Sequence, residues 1–466
     1  MHRPQERVEM KAAMTSTHCL AVLMTGLTAC RTPVGQVPSA ATPPAAANRQ
    51  AIEFQIGFWI GAPAYANQVE SYQMMKDMGF TFADGGFPAY TPEDIKKMLE
   101  CCRQVGLKAM VDDPRLYHPL QRVNDPNWKE TYAAVCAEYV NDPSVYGLGI
   151  QDEPRSDYFQ SMKDAAEIIH KLNPDTFVFA NLLPTYATTV QLGTPTYEEY
   201  LDMYLKTVKP SVLCYDHYAL MADGTIRTDY FENLDLIRKY AQKYNVIPWN
   251  TILSWKHLGY AEPSDAQMRW QVYTSMAYGM KGIMYFVYWA PKEWEKDNPY
   301  RAIVDYDGKP TRMGEGVRQL NAEMTVLGKT LMQLTSTDVF FTGKIPAGCR
   351  RLGDTSIIQL PADKDLMLGF FRDNAGADYV MVVNADTANP VDFEANFKLA
   401  YCLWLEGYKP TVRGLAEVSK VDGGLVPITV TNSTAALHLD AGDGKLFKLD
   451  TAFEYPRQPV PHPRTR

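Results

Sequence analysis

Carboxylate, amide and aromatic side chains recur at the ends of short apolar runs in the first two thirds of the chain. The run at residues 145–154 ends in two adjacent carboxylates and is then broken by Pro154. Two neighbouring carboxyl groups are costly to bury, and folding alone does not call for them at a strand end. If these run ends meet in space, they predict a polar, ligand-facing cleft. The candidate residues at them are Trp59, Asp84, Asp113, Asp152, Glu153, Asn181, Asp216, His217, Tyr218 and Trp289.

Glu153 is the strongest candidate for acid–base chemistry. Glutamate is a poor helix N-cap, so a capping role explains it less well than it explains the aspartates. Alternation along a strand places Gln151 and Glu153 on the face that also carries Gly147 and Gly149, which predicts that Glu153 reaches the mouth of the cleft. Asp152 is expected on the other face, where it orients a loop or shares hydrogen bonds with Glu153. A glutamic acid partly sheltered from water keeps a raised pKa and can protonate a leaving group.

Strands and helices alternate from about residue 54 to about residue 330, which indicates the elements that would position these groups. Near-continuous apolar strands are typical of parallel strands covered on both faces. The pattern predicts a (β/α)8 TIM barrel, in which the active site lies at the carboxyl ends of the strands. A doubly wound sheet is the alternative, but no glycine-rich phosphate loop follows the first strand. The predicted strands are 54–63, 80–86, 107–114, 145–154, 176–184, 211–220, 246–255 and 282–291.

The residue periodicity of the sequence changes after about residue 334. Short β-rich runs with Gly, Asn and Asp turns replace the helical periodicity, which predicts a C-terminal antiparallel β-sandwich. Five segments are therefore predicted: a signal peptide at 1–30, a Pro/Ala-rich tether at 31–50, the catalytic barrel at 51–333, the β-sandwich at 334–452 and a Pro-rich tail at 453–466.

The first thirty residues have the pattern of an export signal. Lys11 precedes an apolar run that is too short to span a membrane, and the run ends in Leu27-Thr28-Ala29-Cys30. This ending resembles a bacterial lipobox, which implies lipidation at Cys30 and anchoring to the bacterial cell envelope without a membrane span. An ordinary signal peptide with a chance cysteine is the alternative.

Composition excludes several classes of partner and cofactor. The 466 residues carry a formal net charge of −8, so the chain has no basic surplus with which to bind nucleic acid. No CxxC motif or Cys/His cluster is present, which argues against a zinc site. We expect no metal and no organic cofactor, and the sequence leaves the oligomeric state open.

The motifs "GLGIQDEP" at the fourth strand and "YFVYWAP" at the eighth, followed by a sandwich, resemble the β-galactosidase-like clan A of glycoside hydrolases. The stretch 146–291 is more similar still to bacterial lipoproteins assigned as glycosidases. The resemblance implies hydrolysis of O-glycosidic bonds in an oligo- or polysaccharide, with Glu153 as the general acid/base. Two departures stand out: Asp152 replaces the usual Asn before this glutamate, and the seventh strand lacks the usual nucleophilic glutamate.

The second carboxylate is therefore an open question. Asp216 is the first candidate, because alternation groups it with Cys214 and Tyr218 at the end of the sixth strand. A separation from Glu153 of about 5–5.5 Å would favour a retaining reaction, and about 6.5–9.5 Å an inverting one. Asp113 is an alternative. In another, Asp152 and Glu153 act as a pair in substrate-assisted cleavage of an N-acetylated sugar, helped by Tyr218.

The remaining rim residues predict a sugar-binding surface. Trp59 and Trp289 can stack on pyranose rings, and Asn181 can hold a hydroxyl group. His217 is expected behind the site rather than on a metal. Two other functions remain: a non-catalytic glycan-binding lipoprotein on a degenerate barrel, and a structural lipoprotein that uses the sandwich for assembly.

Overall fold

The computed structural model describes residues 53–85, 90–117, 124–292, 300–353, 357–397 and 409–454. The predicted signal peptide, the tether and Cys30 lie outside the described residues, as does the tail beyond residue 454. Within the described part, no helix combines the length and apolarity that a membrane crossing needs.

Parallel strands form a nearly closed barrel, as predicted. The sheet order is β1-β8-β7-β6-β5-β4-β3-β2, and the Thr81 N–H closes the circle by donating to the Ile56 carbonyl at 2.9 Å. The strands are β1 (Gln55–Trp59), β2 (Phe82–Asp84), β3 (Lys108–Val111), β4 (Val145–Asp152), β5 (Phe177–Leu182), β6 (Val212–Asp216), β7 (Ile247–Leu253) and β8 (Gly282–Phe286).

Helices surround the barrel, and some of them begin at a side-chain cap. Thr91 and Asp94 form a reciprocal capping box with Pro92 at the first helical position, and Ser264 and Gln267 form another. The helices are α1 (Val69–Asp77), α2 (Pro92–Val105), α3 (Trp128–Ala137), α4 (Phe159–Leu172), α5 (Thr189–Leu192), α6 (Tyr197–Thr207), α7 (Tyr230–Tyr244), α8 (Asp265–Ala277) and α9 (Arg312–Leu331).

Aromatic rings fill the lower part of the barrel interior. The fully buried Trp249 ring stacks on Phe177 and Phe82, and Phe82 stacks on Tyr146. Because these rings are apolar, the polar part of the barrel interior lies at the carboxyl ends of the strands. The barrel therefore presents its chemistry at one end, as expected for this architecture.

Two antiparallel sheets form the C-terminal sandwich, in the orders β14-β13-β16-β11-β10-β9 and β12-β15. Outside the named strands, Gln359 forms an isolated antiparallel bridge with Asn396. The strands are β9 (Leu334–Phe341), β10 (Leu366–Asp373), β11 (Asp378–Asn384), β12 (Val391–Asn396), β13 (Lys409–Val418), β14 (Leu425–Ile428), β15 (Thr434–Leu439) and β16 (Gly444–Glu454).

The sandwich packs against the last barrel helices through close backbone contacts. A side chain at Gly369 in β10 would lie 2.1 Å from the Ala277 carbonyl oxygen at the end of α8. Lys420 adds a polar link, because its ammonium group pairs with Glu323 of α9 and with Asp443. The contact lies beside the helices of the barrel rather than at the carboxyl ends of the strands.

Candidate active site

Asn181 joins two of the predicted carboxylates at the mouth of the barrel. Its Nδ2 donates to Asp152 Oδ1 at 3.3 Å and to Asp216 Oδ1 at 3.2 Å. Its Oδ1 accepts from Thr251 Oγ1 at 3.3 Å and from the Cys214 thiol at 3.5 Å. The amide therefore fixes the ends of β4 and β6 relative to each other. The structure thus brings together Asp152, Asn181 and Asp216, as the sequence analysis expected.

A bulge in β4 changes the face on which Asp152 lies. Gly149 pairs with Phe179 and Gln151 with Ala180, so one extra β4 residue is accommodated between these positions. Asp152 then pairs with Asn181. The expected alternation is therefore wrong by one residue, and Asp152, not Gln151, shares the inner face with Gly149.

Glu153 follows this bulge in an unusual backbone conformation. Its φ angle is +42°, a region that non-glycine residues rarely adopt and that concentrates at functional sites. Its N–H donates to the Asn181 carbonyl oxygen at 2.8 Å, which anchors the turn. The side chain is open to solvent, while enclosure by the surrounding protein raises its pKa. Glu153 is thus positioned as a solvent-accessible acid.

Asp152 beside it is also accessible to solvent, although the barrel wall surrounds it. Partial removal from water raises the pKa of Asp152 to about 7, and the negative charge of Glu153 contributes in the same direction. The hydrogen bond from Asn181 acts the other way because it favours the charged form. Ionisation of Glu153 therefore disfavours ionisation of Asp152 beside it.

Asp216 lies deeper, with 5% of its surface exposed. Burial, followed by the charges of Glu153 and Asp152, raises its pKa well above the usual range, whereas hydrogen bonds from Tyr218 and Asn181 favour its ionised form. The Tyr218 ring is held by edge contacts with His257 and Tyr260. Tyr218 is therefore a fixed donor to Asp216.

A second pair of carboxyl groups lies at the ends of β2 and β3, the strands that come next to β4 in the sheet. Asp84 and Asp112 are almost fully buried and hydrogen-bond to each other, so one of them carries a proton. Tyr117 donates to Asp112 Oδ1 at 2.9 Å. A side chain at Gly149 would lie only 1.6 Å from that same oxygen, so the glycine in β4 makes room for the pair.

Asp112 takes the place that the sequence analysis gave to Asp113. Asp113 is completely buried on the outer side of the strand end, where Arg115 forks onto both carboxylate oxygens at 2.7–3.1 Å. The Tyr139 hydroxyl of the following segment also donates to it at 2.7 Å. These donors lower the pKa of Asp113 despite its burial. Asp113 therefore has a structural role, and its carboxylate does not reach the mouth of the barrel.

Three other candidate residues lie away from open solvent. Trp59 is buried against Phe179 in the barrel interior, and Trp289 is buried where the Gly308 turn packs on its ring. His217 is fully buried behind Asp216, between the rings of Tyr186 and Tyr230, with its Nε2 at 3.3 Å from Asp229 Oδ1. Burial lowers the pKa of His217. None of the three offers a free surface to a sugar in this conformation.

The aromatic surface that does reach solvent was not predicted. Tyr186 and Tyr260 are half-buried, and their hydroxyl groups are 3.3 Å apart. The Arg227 guanidinium stacks 3.8 Å from the centre of the Tyr186 ring. Both tyrosines follow barrel strands, and this position is the signal that could have identified them. Within the described ranges, no group of three or more His, Cys, Asp or Glu side chains is arranged to hold a metal ion.

Comparison with known proteins places this geometry in a family context. The β-galactosidase model of glycoside hydrolase family 42 matches residues 155–327. The match and the barrel fold are consistent with a clan A-like glycosidase. The match confirms the resemblance expected from the sequence motifs, and it begins two residues after Glu153. No curated protein sequence matches the chain.

Solved structures show the same fold at low sequence identity. A glycoside hydrolase aligns with a TM-score of 0.51 at 13% identity, covering 85% of this chain and 92% of its own. A family 5 glycoside hydrolase from Bacteroides vulgatus gives 0.51 at 12%, covering 85% and 89%. A β-galactosidase from the psychrophilic Marinomonas ef1 gives 0.47 at 12%, and this chain covers only 63% of its length with 62% of its own. The family match together with this fold supports a glycosidase.

The chain departs from the clan A-like pattern at the end of β7. The strand ends at Leu253, and the Ser254 hydroxyl that follows donates to the Val287 carbonyl at 3.0 Å. No carboxylate occupies this strand end, as the sequence had indicated. Any second carboxylate must therefore come from another strand, and Asp216 and Asp152 are the ones that flank Glu153.

Proposed function

We propose that this protein is a glycoside hydrolase that cleaves O-glycosidic bonds of an oligo- or polysaccharide. Glu153 acts as the general acid/base and Asp216 as the second carboxylate. The observation that carries the proposal is the position of Glu153: it lies at the end of β4, beside two other carboxyl groups, and is held outward by a bond from its N–H to Asn181.

The coupling among these groups suits acid catalysis. A glycosidase needs one protonated and one ionised carboxyl group on either side of the scissile bond. Mutual repulsion between Glu153 and Asp216 disfavours double ionisation. Once Glu153 holds a proton, the repulsion on Asp216 falls, and the Tyr218 and Asn181 hydrogen bonds stabilise its negative charge.

In the proposed reaction, Glu153 gives its proton to the glycosidic oxygen as the bond to the anomeric carbon breaks. Asp216 either attacks that carbon directly or removes a proton from a water molecule that attacks it. In the direct case, a water molecule then attacks the anomeric carbon and breaks its bond to Asp216, while Glu153 takes the proton of that water. Tyr186 and Tyr260 offer aromatic faces on which the sugar rings of the substrate can pack.

The test is hydrolysis of a panel of aryl glycosides and polysaccharides by the chain from Asn48 onward. Glu153→Gln is expected to lower kcat by about 100-fold or more, and Asp216→Asn to lower it comparably. Asp152→Asn tests the alternative in which Asp152 and Glu153 act as the pair. Asp338→Asn is the matched control, because that aspartate is exposed on β9 of the sandwich. Full activity in Glu153→Gln would refute the assignment.

A second candidate function is glycan binding without catalysis, and the serine at the end of β7 favours it. In that case calorimetry would detect oligosaccharide binding that Glu153→Gln leaves intact, and no member of the panel would be cleaved.

We also propose that the protein is exported and lipid-anchored to the bacterial cell envelope through Cys30. The basis is the sequence of residues 1–30, in which an apolar run precedes the cysteine. Expression in a bacterium with a labelled fatty acid should label the wild type, whereas Cys30→Ser should abolish the label. Equal labelling of the two would refute the anchor.

A further inference from the structure

Arg227 brings a positive charge to the mouth of the barrel. It lies in the loop between β6 and α7, among the loops that follow the carboxyl ends of the strands. Its guanidinium carbon is 3.8 Å from the centre of the Tyr186 ring. The Tyr186 ring in turn meets the ring of His217, the neighbour of Asp216, at 5.0 Å between centres. One aromatic ring therefore separates this cation from the residue beside Asp216.

The Arg227 side chain and the ring beneath it are held in place. The Arg227 N–H donates to the Ala219 carbonyl oxygen at 2.9 Å, within the loop that follows β6. Met221 of the same loop forms an antiparallel bridge with Tyr260 in the loop that follows β7. The hydroxyl groups of Tyr260 and Tyr186 are 3.3 Å apart. A guanidinium group stacked on a fixed ring loses little further freedom when it binds a ligand.

The terminal nitrogens of Arg227 are free to donate. Neither of them has an acceptor in the described part of the chain, and neither is buried, whereas Nε is buried 3.4 Å from Asp229 Oδ1 without a hydrogen bond. Asp229 has other partners, because its Oδ1 lies 3.3 Å from His217 Nε2 and its Oδ2 accepts from the Thr185 hydroxyl at 3.3 Å. Since 27% of the Arg227 side chain is exposed, a ligand can reach the terminal nitrogens from solvent.

We propose that Arg227 sets the substrate specificity of this site by binding the carboxylate of a uronic acid unit in the polysaccharide. This inference rests on the proposed glycoside hydrolase function and names the class of substrate for it. The two terminal nitrogens of a guanidinium group form a planar fork that matches the two oxygens of a carboxylate. Stacking on Tyr186 fixes the plane of that fork.

The chemistry of the fork decides between sugar classes. A hydroxyl group of a neutral sugar is uncharged, and a charge-assisted hydrogen bond is about twice as strong as a neutral one. Glu153 and Asp216 would repel an anion held between them. We therefore place the uronic acid unit next to the unit that is cleaved, on the side of Tyr186. A sulfate ester also offers pairs of oxygen atoms to a guanidinium group, so the experiment has to separate the two anions.

The experiment measures affinity, because binding needs no turnover. Calorimetry compares oligomers of galacturonate and of glucuronate with the same oligomers whose carboxyl groups have been reduced to alcohols. Sulfated and desulfated galactan oligomers form a second pair. The wild type is expected to bind at least one uronate oligomer about tenfold or more tightly than its reduced form.

Variants assign that preference to the fork. Arg227→Gln should lower the ratio of the two affinities about fivefold or more. Arg227→Lys should also lower it, because lysine keeps the charge and loses the fork. Arg350→Gln is the matched control and should leave the ratio unchanged. It removes a guanidinium group that stacks 4.6 Å from the centre of the Phe340 ring and pairs with Asp338 in the sandwich.

The outcomes separate this inference from the proposed function. A preference for the uronate form that depends on Arg227 supports the inference even if no glycan is cleaved. Equal affinity for the acidic and reduced forms overturns it, as does a preference for the sulfated oligomers alone. A ratio that stays the same in Arg227→Gln while both affinities fall would give Arg227 a structural role and overturn it too. Cleavage of neutral glycans without any preference for uronates overturns it and leaves the hydrolase standing.

Discussion

Replacing Gly149 by alanine should displace Asp112 from Asp84 while leaving every ionisable residue in the sequence unchanged. The added methyl carbon would lie 1.6 Å from Asp112 Oδ1, 2.9 Å from Asp112 Cγ and 3.1 Å from the Tyr117 hydroxyl oxygen. These atoms are in a strand end and a buried ring, so the contact is relieved only by moving the Asp112 carboxyl group. That movement breaks the 2.9 Å hydrogen bond from Tyr117 and separates Asp112 from Asp84.

The expected loss of stability is the sum of an overpacking cost and one lost hydrogen bond. Overpacking of a close-packed site costs about 1–3 kcal/mol, and one buried hydrogen bond contributes about 1 kcal/mol. Gly149→Ala should therefore lower the free energy of unfolding by about 2–4 kcal/mol, measured by urea denaturation. Gly316→Ala is the control, because Gly316 lies exposed within α9 with ordinary contacts and should gain up to about 1 kcal/mol.

A double-variant cycle tests the cause. If the clash with Asp112 is responsible, the cost of Gly149→Ala should be much smaller in an Asp112→Ala background, since the displaced carboxyl group is then missing. Additive effects, or a Gly149→Ala variant within about 0.5 kcal/mol of the wild type, would refute the reasoning.

Two further predictions concern the carboxylates on either side of the strand ends. Arg115→Ala should lower stability by about 3–5 kcal/mol, because it leaves the buried Asp113 without its cation; a change below about 1 kcal/mol in urea denaturation would contradict a structural role for the pair. Raised folded pKa values at Asp152 and its neighbours predict that stability falls as pH rises from about 4 to about 7, since these groups favour folding only while protonated. Asp152→Asn should make the free energy of unfolding depend less on pH between about 4 and about 7. An unchanged pH dependence would count against a raised pKa at Asp152.

The architecture could be predicted because each barrel strand carries its own signal. Apolar runs with turn residues locate all eight strands, and the carboxyl-end rule then gathers Asp84, Asp152 and Asp216 at one mouth. His217 lies behind the site, where the sequence analysis expected it. Once alternation turns Asp216 inward, its neighbour must point outward towards the helices.

Details that depend on single-residue shifts could not be predicted. The β4 bulge turns Asp152 inward, and Gly149 beside it is compatible with a bulge but does not specify one. The choice between Asp112 and Asp113 depends on which neighbour supplies donors, although Arg115 two positions later was a readable hint that Asp113 is held locally. Trp289 is covered by the turn at Gly308, which is distant in sequence, so its burial is a tertiary effect.

The two acid pairs give the mouth an asymmetry that bears on its chemistry. On the β4–β6 side, Asn181 and Tyr218 supply neutral donors that favour ionised carboxylates without cancelling their charge. On the β2–β3 side, the buried Asp84–Asp112 pair relieves its own repulsion by sharing a proton, and Gly149 keeps the space for it. A substrate at the mouth therefore meets an acid that can give a proton and an anion that can stabilise positive charge. Charge that develops on a sugar ring in an oxocarbenium-like transition state is positive, so an ionised Asp216 would stabilise that transition state.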